Sequence, residues 1–214
     1  NRVELKSVKL LKNFVNIEIL DVTGNQHYTF PMLVGNAPFD NPDFRRALKW
    51  ACNRQEMVDK ILQGYGAVAN DHPIGPANQY QASDLPQTEY HPVKAAFYMK
   101  KSGLGNVTID LSVAEAAFTG AGDAGALYQN TAGPAGININ IVQEPNDGYW
   151  SNVWLRKPWC ACYWSGRATE DWMFSTAYES GVPWNDTGWE NERFQSLLIE
   201  GRTELNTDRR REIY

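Results

Sequence analysis

Three kinds of side chain in this sequence could do chemistry: paired thiols, crowded indoles, and a few charged groups beside them. Cys160 and Cys162 are spaced C-x-C inside the apolar run Pro158–Tyr163, so on a strand both thiols point the same way. Such a pair can chelate a metal, close a strained disulfide in an oxidising compartment, or lie buried as two small hydrophobes. Tetrahedral zinc wants two further ligands, and His27, His72 and His91 are scattered with no second pair in view. The expectation is therefore no metal and no cofactor. Cys52 sits beside Trp50 and Ala51 in a helical segment, where burial is the default. A cysteine nucleophile needs a nearby base and an oxyanion site, and neither Cys52 nor Cys162 has a recognisable partner. The sequence does not read as an enzyme.

The indoles say more. Of eight tryptophans, all but Trp50 fall between Trp150 and Trp189. Indole and phenol rings supply large apolar area with one polar handle, and their faces favour cations. Tyr149, Trp150, Trp154, Trp159 and Trp164 can form the wall of a cleft, or they can pack beneath helices. Trp164, at the mouth of its strand just before a loop, is the foremost candidate to touch a ligand.

The elements that must position these groups follow from periodicity. Glu4 to Asn13 reads as a short helix, and Val15 to Val22 alternates as a half-buried strand would. Thr23-Gly24-Asn25 reads as a turn, and His27 to Phe30 as a second strand. Asn41 is placed to cap a helix opening at Pro42, with Phe44, Ala47, Leu48 and Ala51 on one face. A second helix is expected over Arg54 to Gln63, stopped by Gly64. Residues 66–92 are rich in Pro, Gly, Asn and Gln and predict a long ordered loop. A helix then runs from Pro92 to Ser102, with Gly103 in the left-handed position beyond it. Strands are predicted over Val107–Val113, Ile137–Val142 and Pro158–Trp164. Helices are predicted over Gly122–Ala132, Asp147–Arg156, Glu170–Tyr178 and Glu190–Arg202, with another beginning near Thr207. Strands alternating with helices predict an α/β sheet with helices on its faces.

Several of these segments resemble one family. Pro38-Phe39-Asp40-Asn41-Pro42-Asp43-Phe44-Arg45-Arg46-Ala47-Leu48-Lys49-Trp50-Ala51 is similar to the P-F-D-(N/D)-x-x-(V/F)-R-x-A-(L/I)-x-x-A run of the family 5 extracellular solute-binding proteins, the peptide, oligopeptide and nickel group. Asn53 to Gly64 resembles the D-R-x-x-(L/I/M)-V-x-x-(I/V)-L-x-G segment that follows there. Gly66 and His72-Pro73-Ile74-Gly75-Pro76 are similar to that family's P-I-P-P loop, and Tyr90 to Leu104 to its next helix. The resemblance covers nearly the whole chain, as a carboxy-terminal lobe. It implies a periplasmic-binding-protein-like lobe of type II, with a central mixed sheet flanked by helices. Residues 1–214 are then expected to be part of that lobe. The amino-terminal lobe, the extreme carboxy terminus and the targeting information are expected to lie elsewhere, since Asn1 reads as a cut and Tyr214 falls inside a helical pattern.

The same resemblance implies a monomeric binding protein in the periplasm, or tethered outside the cell. It would capture a small peptide-like or amino-acid-derived solute and dock on the membrane permease of an ABC importer. In peptide-binding relatives a G-W-x-x-D segment enters the cleft, and its aspartate pairs with the peptide's amino group. Aligning Cys162 and Tyr163 with that Gly-Trp puts Gly166 in the aspartate's place. An ammonium buried there without a partner would cost several kcal/mol. Arg167 stands next in line and suits a carboxylate or phosphate, gripped bidentately. The expected ligand is therefore not an ordinary peptide held by its amino end. Asn25 and His27 lie on a strand near the interlobe crossover and are further candidates to line the cleft, with a structural or surface role open for His27. Asp171 can contact ligand or serve its helix dipole. An interaction or signalling module without a ligand, and a cysteine-dependent enzyme, are the competing functions.

Composition narrows the field from outside. An apolar fraction of 43% excludes general disorder, and a formal charge of -5 argues against broad nucleic-acid binding. Arg209-Arg210-Arg211 is the one basic cluster, and with Glu212 beside it a solvated helix face accounts for it. No apolar run reaches the roughly 18 residues needed to cross a bilayer.

Overall fold

In the computed structural model, which describes residues 3–22 and 24–214, the helix with the clearest sequence signals forms where they put it. α1 is short, Leu5–Leu11. α2 spans Pro42–Ala51, and the Asn41 side chain accepts from the backbone N–H groups of Asp43 and Phe44 at 3.0 and 3.2 Å. That cap satisfies donors that every helix start leaves open. The inward stripe of Phe44, Ala47, Leu48 and Ala51 is fully buried. α3, Arg54–Lys60, ends short of Gln63, which takes φ +52° beside Gly64 at φ +81°. α4, Pro92–Ser102, stops at Gly103 in the left-handed conformation, and it packs along α2.

β2 (Val107–Val113) and β3 (Ile137–Gln143) pair in parallel, from Val107 opposite Ile137 to Val113 opposite Gln143. A parallel pair needs a crossover, and α5 (Ala121–Ala132) supplies it. Gly125 lets that helix lie close: a Cβ there would stand 3.1 Å from Ile141 and 3.3 Å from Val113. The strand expected over Pro158–Trp164 is shared between two neighbours. Cys160 bridges Ser112 of β2 in parallel, and Trp159 bridges Met32 in antiparallel fashion. β4 proper, Cys162–Trp164, then pairs antiparallel with β1, His27–Thr29. The sheet is thus mixed, in the order β1, the 159–164 segment, β2, β3. Trp159 ties its layers together, buried at 1% exposure with its Nε1 donating to the Phe30 carbonyl at 3.0 Å.

Two expectations are corrected. Val15–Val22 forms no strand among the described residues. No neighbour pairs with it, and Val15, Leu20 and Val22 stand exposed. The helix expected over Asp147–Arg156 is confined to α6, Tyr149–Asn152, because the chain turns away through Leu155 at φ +62°. The expected turn at residues 23–25 includes residue 23, which lies outside the described residues.

α7 (Glu170–Ala177), α8 (Glu192–Thr203) and α9 (Thr207–Ile213) close the chain. The long irregular segment between α3 and α4 is held from a distance, for the buried Glu170 carboxylate accepts from the Tyr80 amide at 2.7 Å. Among the described residues no helix is long and apolar enough to cross a membrane.

Candidate functional site

The pairing of β1 with β4 decides which candidates meet. His27 opposes Trp164, Tyr28 opposes Tyr163, and Thr29 opposes Cys162. Directly opposed residues share a face. One face therefore carries His27, Thr29, Cys162 and Trp164, and the other carries Tyr28 and Tyr163.

The first face is covered. Cys162 and Trp164 are 1% and 4% exposed, packed with Ile74, Met173 and Ala177. Trp164, expected to touch solute at the strand's mouth, and Cys162, expected to line the cleft, are both turned inward by strand alternation. The indole Nε1 of Trp164 donates to Asp186 Oδ2 at 3.2 Å, and that of Trp154 donates to the same oxygen at 3.1 Å. Burial pushes the Asp186 carboxyl up to about 6, against the pull of the two indole donors and the nearby Cys162 thiol. Burial likewise pushes the Cys160 thiol up to about 12 and raises Cys162 as well, so both are protonated and unreactive at neutral pH. Cys52, Cys160 and Cys162 are free and buried.

The second face opens outward. Tyr163 and Trp150 are each 39% exposed and meet edge to face at 5.5 Å. Trp150 contacts Trp154 at 5.8 Å, Trp154 contacts Trp164 at 6.1 Å, and the half-exposed Trp184 closes on Trp154 and Trp164 at 6.3 Å. The result is a continuous aromatic ladder with accessible rings at its ends and Trp164 behind it.

At the exit of β4 the polar candidates converge. Asn25 Nδ2 donates to the Arg167 carbonyl at 3.3 Å. A Cβ on Gly166 would fall 2.4 Å from the Asn25 Cβ, and one on Gly75 would fall 3.1 Å from Asn25 Oδ1. Asn25 is thus clamped between two glycines from distant parts of the chain. Arg167 Nη1 donates to the Ser165 carbonyl at 2.7 Å and to Ser165 Oγ at 2.9 Å, and its guanidinium lies 5.5 Å from the Trp172 ring centre. Its Nε is buried without a hydrogen-bond partner among the described residues, and so are Asn25 Oδ1 and His27 Nε2. His27 Nδ1 donates to the Asn25 carbonyl at 3.1 Å, and burial lowers the imidazole's pKa, so the ring is neutral at pH 7.

Asp171 belongs elsewhere. In the first turn of α7 it pairs with Arg202 Nε of α8 at 2.8 Å, and Arg202 also holds Glu179 at 2.9 Å. This is a tie between helices. Sequence reasoning missed Asp186. The signal was an acid in a Trp184-Asn185-Asp186 turn, close to the densest aromatic stretch.

The profile of the bacterial extracellular solute-binding proteins, family 5 (middle), matches residues 1–186. The glutathione-binding protein GsiB of Escherichia coli O6:K15:H31 (strain 536 / UPEC) is 34% identical over 104 residues, which is 49% of this chain and 20% of that protein. NikZ from Campylobacter jejuni, solved in complex with Ni(L-His), superposes with a TM-score of 0.86 at 17% identity, covering 99% of this chain and 46% of that one. The periplasmic binding protein DppA from Helicobacter pylori, in complex with the peptide STSA, superposes with a TM-score of 0.85 at 20% identity, over 98% of this chain and 42% of that one. The match covers about a fifth of the length of the curated relative, and the chain spans under half of each solved one.

Proposed function

This chain belongs to the bacterial extracellular solute-binding proteins, family 5, and on that premise we propose that it supplies the carboxy-terminal lobe of an ABC importer's substrate-binding component. The complete protein works outside the cytoplasmic membrane, in the periplasm or tethered to the surface. It closes as a monomer on a small peptide-like or amino-acid-derived solute and delivers it to a membrane permease. It binds no nucleic acid and catalyses no reaction.

The observation that carries this reading is the end of β4, where an exposed aromatic on the strand is followed within a few residues by a cation that makes no ion pair among the described residues. Tyr163 and Trp150 offer apolar faces, with Trp154 and Trp164 supporting them from behind. Arg167 makes no ion pair among the described residues, its Nη1 is tied to Ser165, and its Nε is buried without a hydrogen-bond partner. A guanidinium held in place at one nitrogen and lacking an acidic partner suits a carboxylate brought to it. Asn25, His27 and Gly166 form the floor beside it. With no acid at position 166, the solute carries an anionic group at this point and not a peptide ammonium. Arg167 is the first residue to mutate.

Full-length protein screened by thermal shift against glutathione, short peptides, opines, other amino-acid derivatives and sugars tests the reading. A binder raises its unfolding midpoint with solute concentration, and a scaffold does not. For whichever carboxylated compound binds, Arg167→Ala should weaken affinity about tenfold or more, the worth of a charge-assisted pair. Absence of any midpoint shift across the panel defeats the transport reading. Tight calorimetric binding of unmodified di- or tripeptides defeats the anionic one.

A further inference from the structure

We propose that Asp186 is a positioning residue for the solute-facing aromatic ladder, its Oδ2 drawing the indoles of Trp154 and Trp164 onto one point and so fixing the angles of the exposed rings that lean on them. This rests on the reading that the exposed end of the ladder faces solute.

The geometry is specific. Both indole N–H groups reach the same carboxylate oxygen, at 3.1 and 3.2 Å, and the carboxylate is 3% exposed. Two buried indole donors could be satisfied by backbone carbonyls without burying a charge, and a buried charge is expensive. What a shared carboxylate adds is convergence. Two large rings from separate parts of the chain are pinned to one atom, and the ring contacts of Trp150 and Trp184 are built on that pair. The turn carrying Asp186 is itself fixed. Asn185 Nδ2 donates to the Trp189 carbonyl at 3.0 Å, and the Val34 amide donates to the Thr187 carbonyl at 2.8 Å. The anchor is therefore held on both sides of Asp186, within its own turn and by the segment at Val34.

Titration separates this from plain packing. The groups facing Asp186 are the indoles of Trp154 and Trp164, the thiols of Cys160 and Cys162, and the Tyr178 phenol. Burial raises both thiols and the phenol far above neutrality, so Asp186 alone titrates within the cluster near pH 6. Its folded value lies above the ordinary carboxylate value. The stability it contributes is fully present below that ordinary value and is lost as pH rises through about 6. Mild acidification therefore protonates Asp186 without weakening the fold through this group, and the tryptophan signal can be read on folded protein.

The test uses full-length protein without solute, following near-UV circular dichroism and acrylamide quenching of tryptophan from about pH 8 to about pH 5. Wild type should show a tryptophan transition centred near 6. Asp186→Asn, close in shape but neutral, should show at every pH the spectrum that wild type reaches below its transition, and so lose the transition. Because it leaves His27 intact, it also distinguishes Asp186 from that imidazole. Asp186→Leu should lose the near-UV tryptophan bands and become more quenchable while its far-UV spectrum is retained. A transition that persists in Asp186→Asn, or a wild-type near-UV spectrum in Asp186→Leu, overturns the proposal. If Asp186→Leu does not fold, the paired pH profiles of wild type and Asp186→Asn decide alone. Since no solute is present, failure here leaves the binding reading to the thermal-shift panel.

Discussion

If Gly166 takes the place of an acid, as the family resemblance implies, its surroundings show that the acid cannot simply be put back. A Cβ at this position would lie 2.4 Å from the Asn25 Cβ and 3.0 Å from the Asn25 carbonyl carbon, distances that force backbone to move. Gly166→Ala should therefore destabilise the fold by about 1–3 kcal/mol, the range for overpacking a fixed site. Chemical denaturation would register this as a lower midpoint at unchanged slope. Gly166→Asp should be worse, and it should not create an ammonium pocket, because the irregular segment leading into β1 fills the space. The missing carboxylate is visible in the sequence. The backbone that bars its return belongs to a residue 141 positions earlier and is visible only when the two are brought together.

At the level of elements, the parts legible in the sequence are those written in local signals. The Asn41 cap, the glycine stop after α4 and the alternating isoleucines of β3 depend on neighbours a few residues away. Legibility fails where partners are distant. Val15–Val22 has a strand's alternation, yet a strand exists only through its pairing, and none is formed here among the described residues. Trp164 looks like a cleft residue until the register with His27 turns it inward. The loop from residue 66 to 91 could be read as ordered, but not by what means. Glu170 shows the means, reaching from the first turn of α7 to the Tyr80 amide. Glu170→Ala leaves that buried N–H without a partner and should cost about 1–3 kcal/mol. Hydrogen exchange at Tyr80 should accelerate with it, whereas a purely local effect would leave that amide protected and confine the change to α7.

For the whole molecule the consequence of the proposed function is closure. A two-lobed binder that shuts on its solute moves by hinge rotation, so small-angle scattering of the full-length protein should show a smaller radius of gyration when a midpoint-raising compound is bound. An unchanged radius at saturation would argue for a rigid pocket instead. Where such rotation is taken up is constrained by the Asn25 junction. The loop around Gly75, the exit from β4 and the entry to β1 are riveted together through one side chain, with glycines on both sides and a hydrogen bond to Arg167. Three lengths of chain that meet at a rivet turn as a single plate. Any swing of that junction carries the guanidinium of Arg167 through the same arc as the floor beneath it.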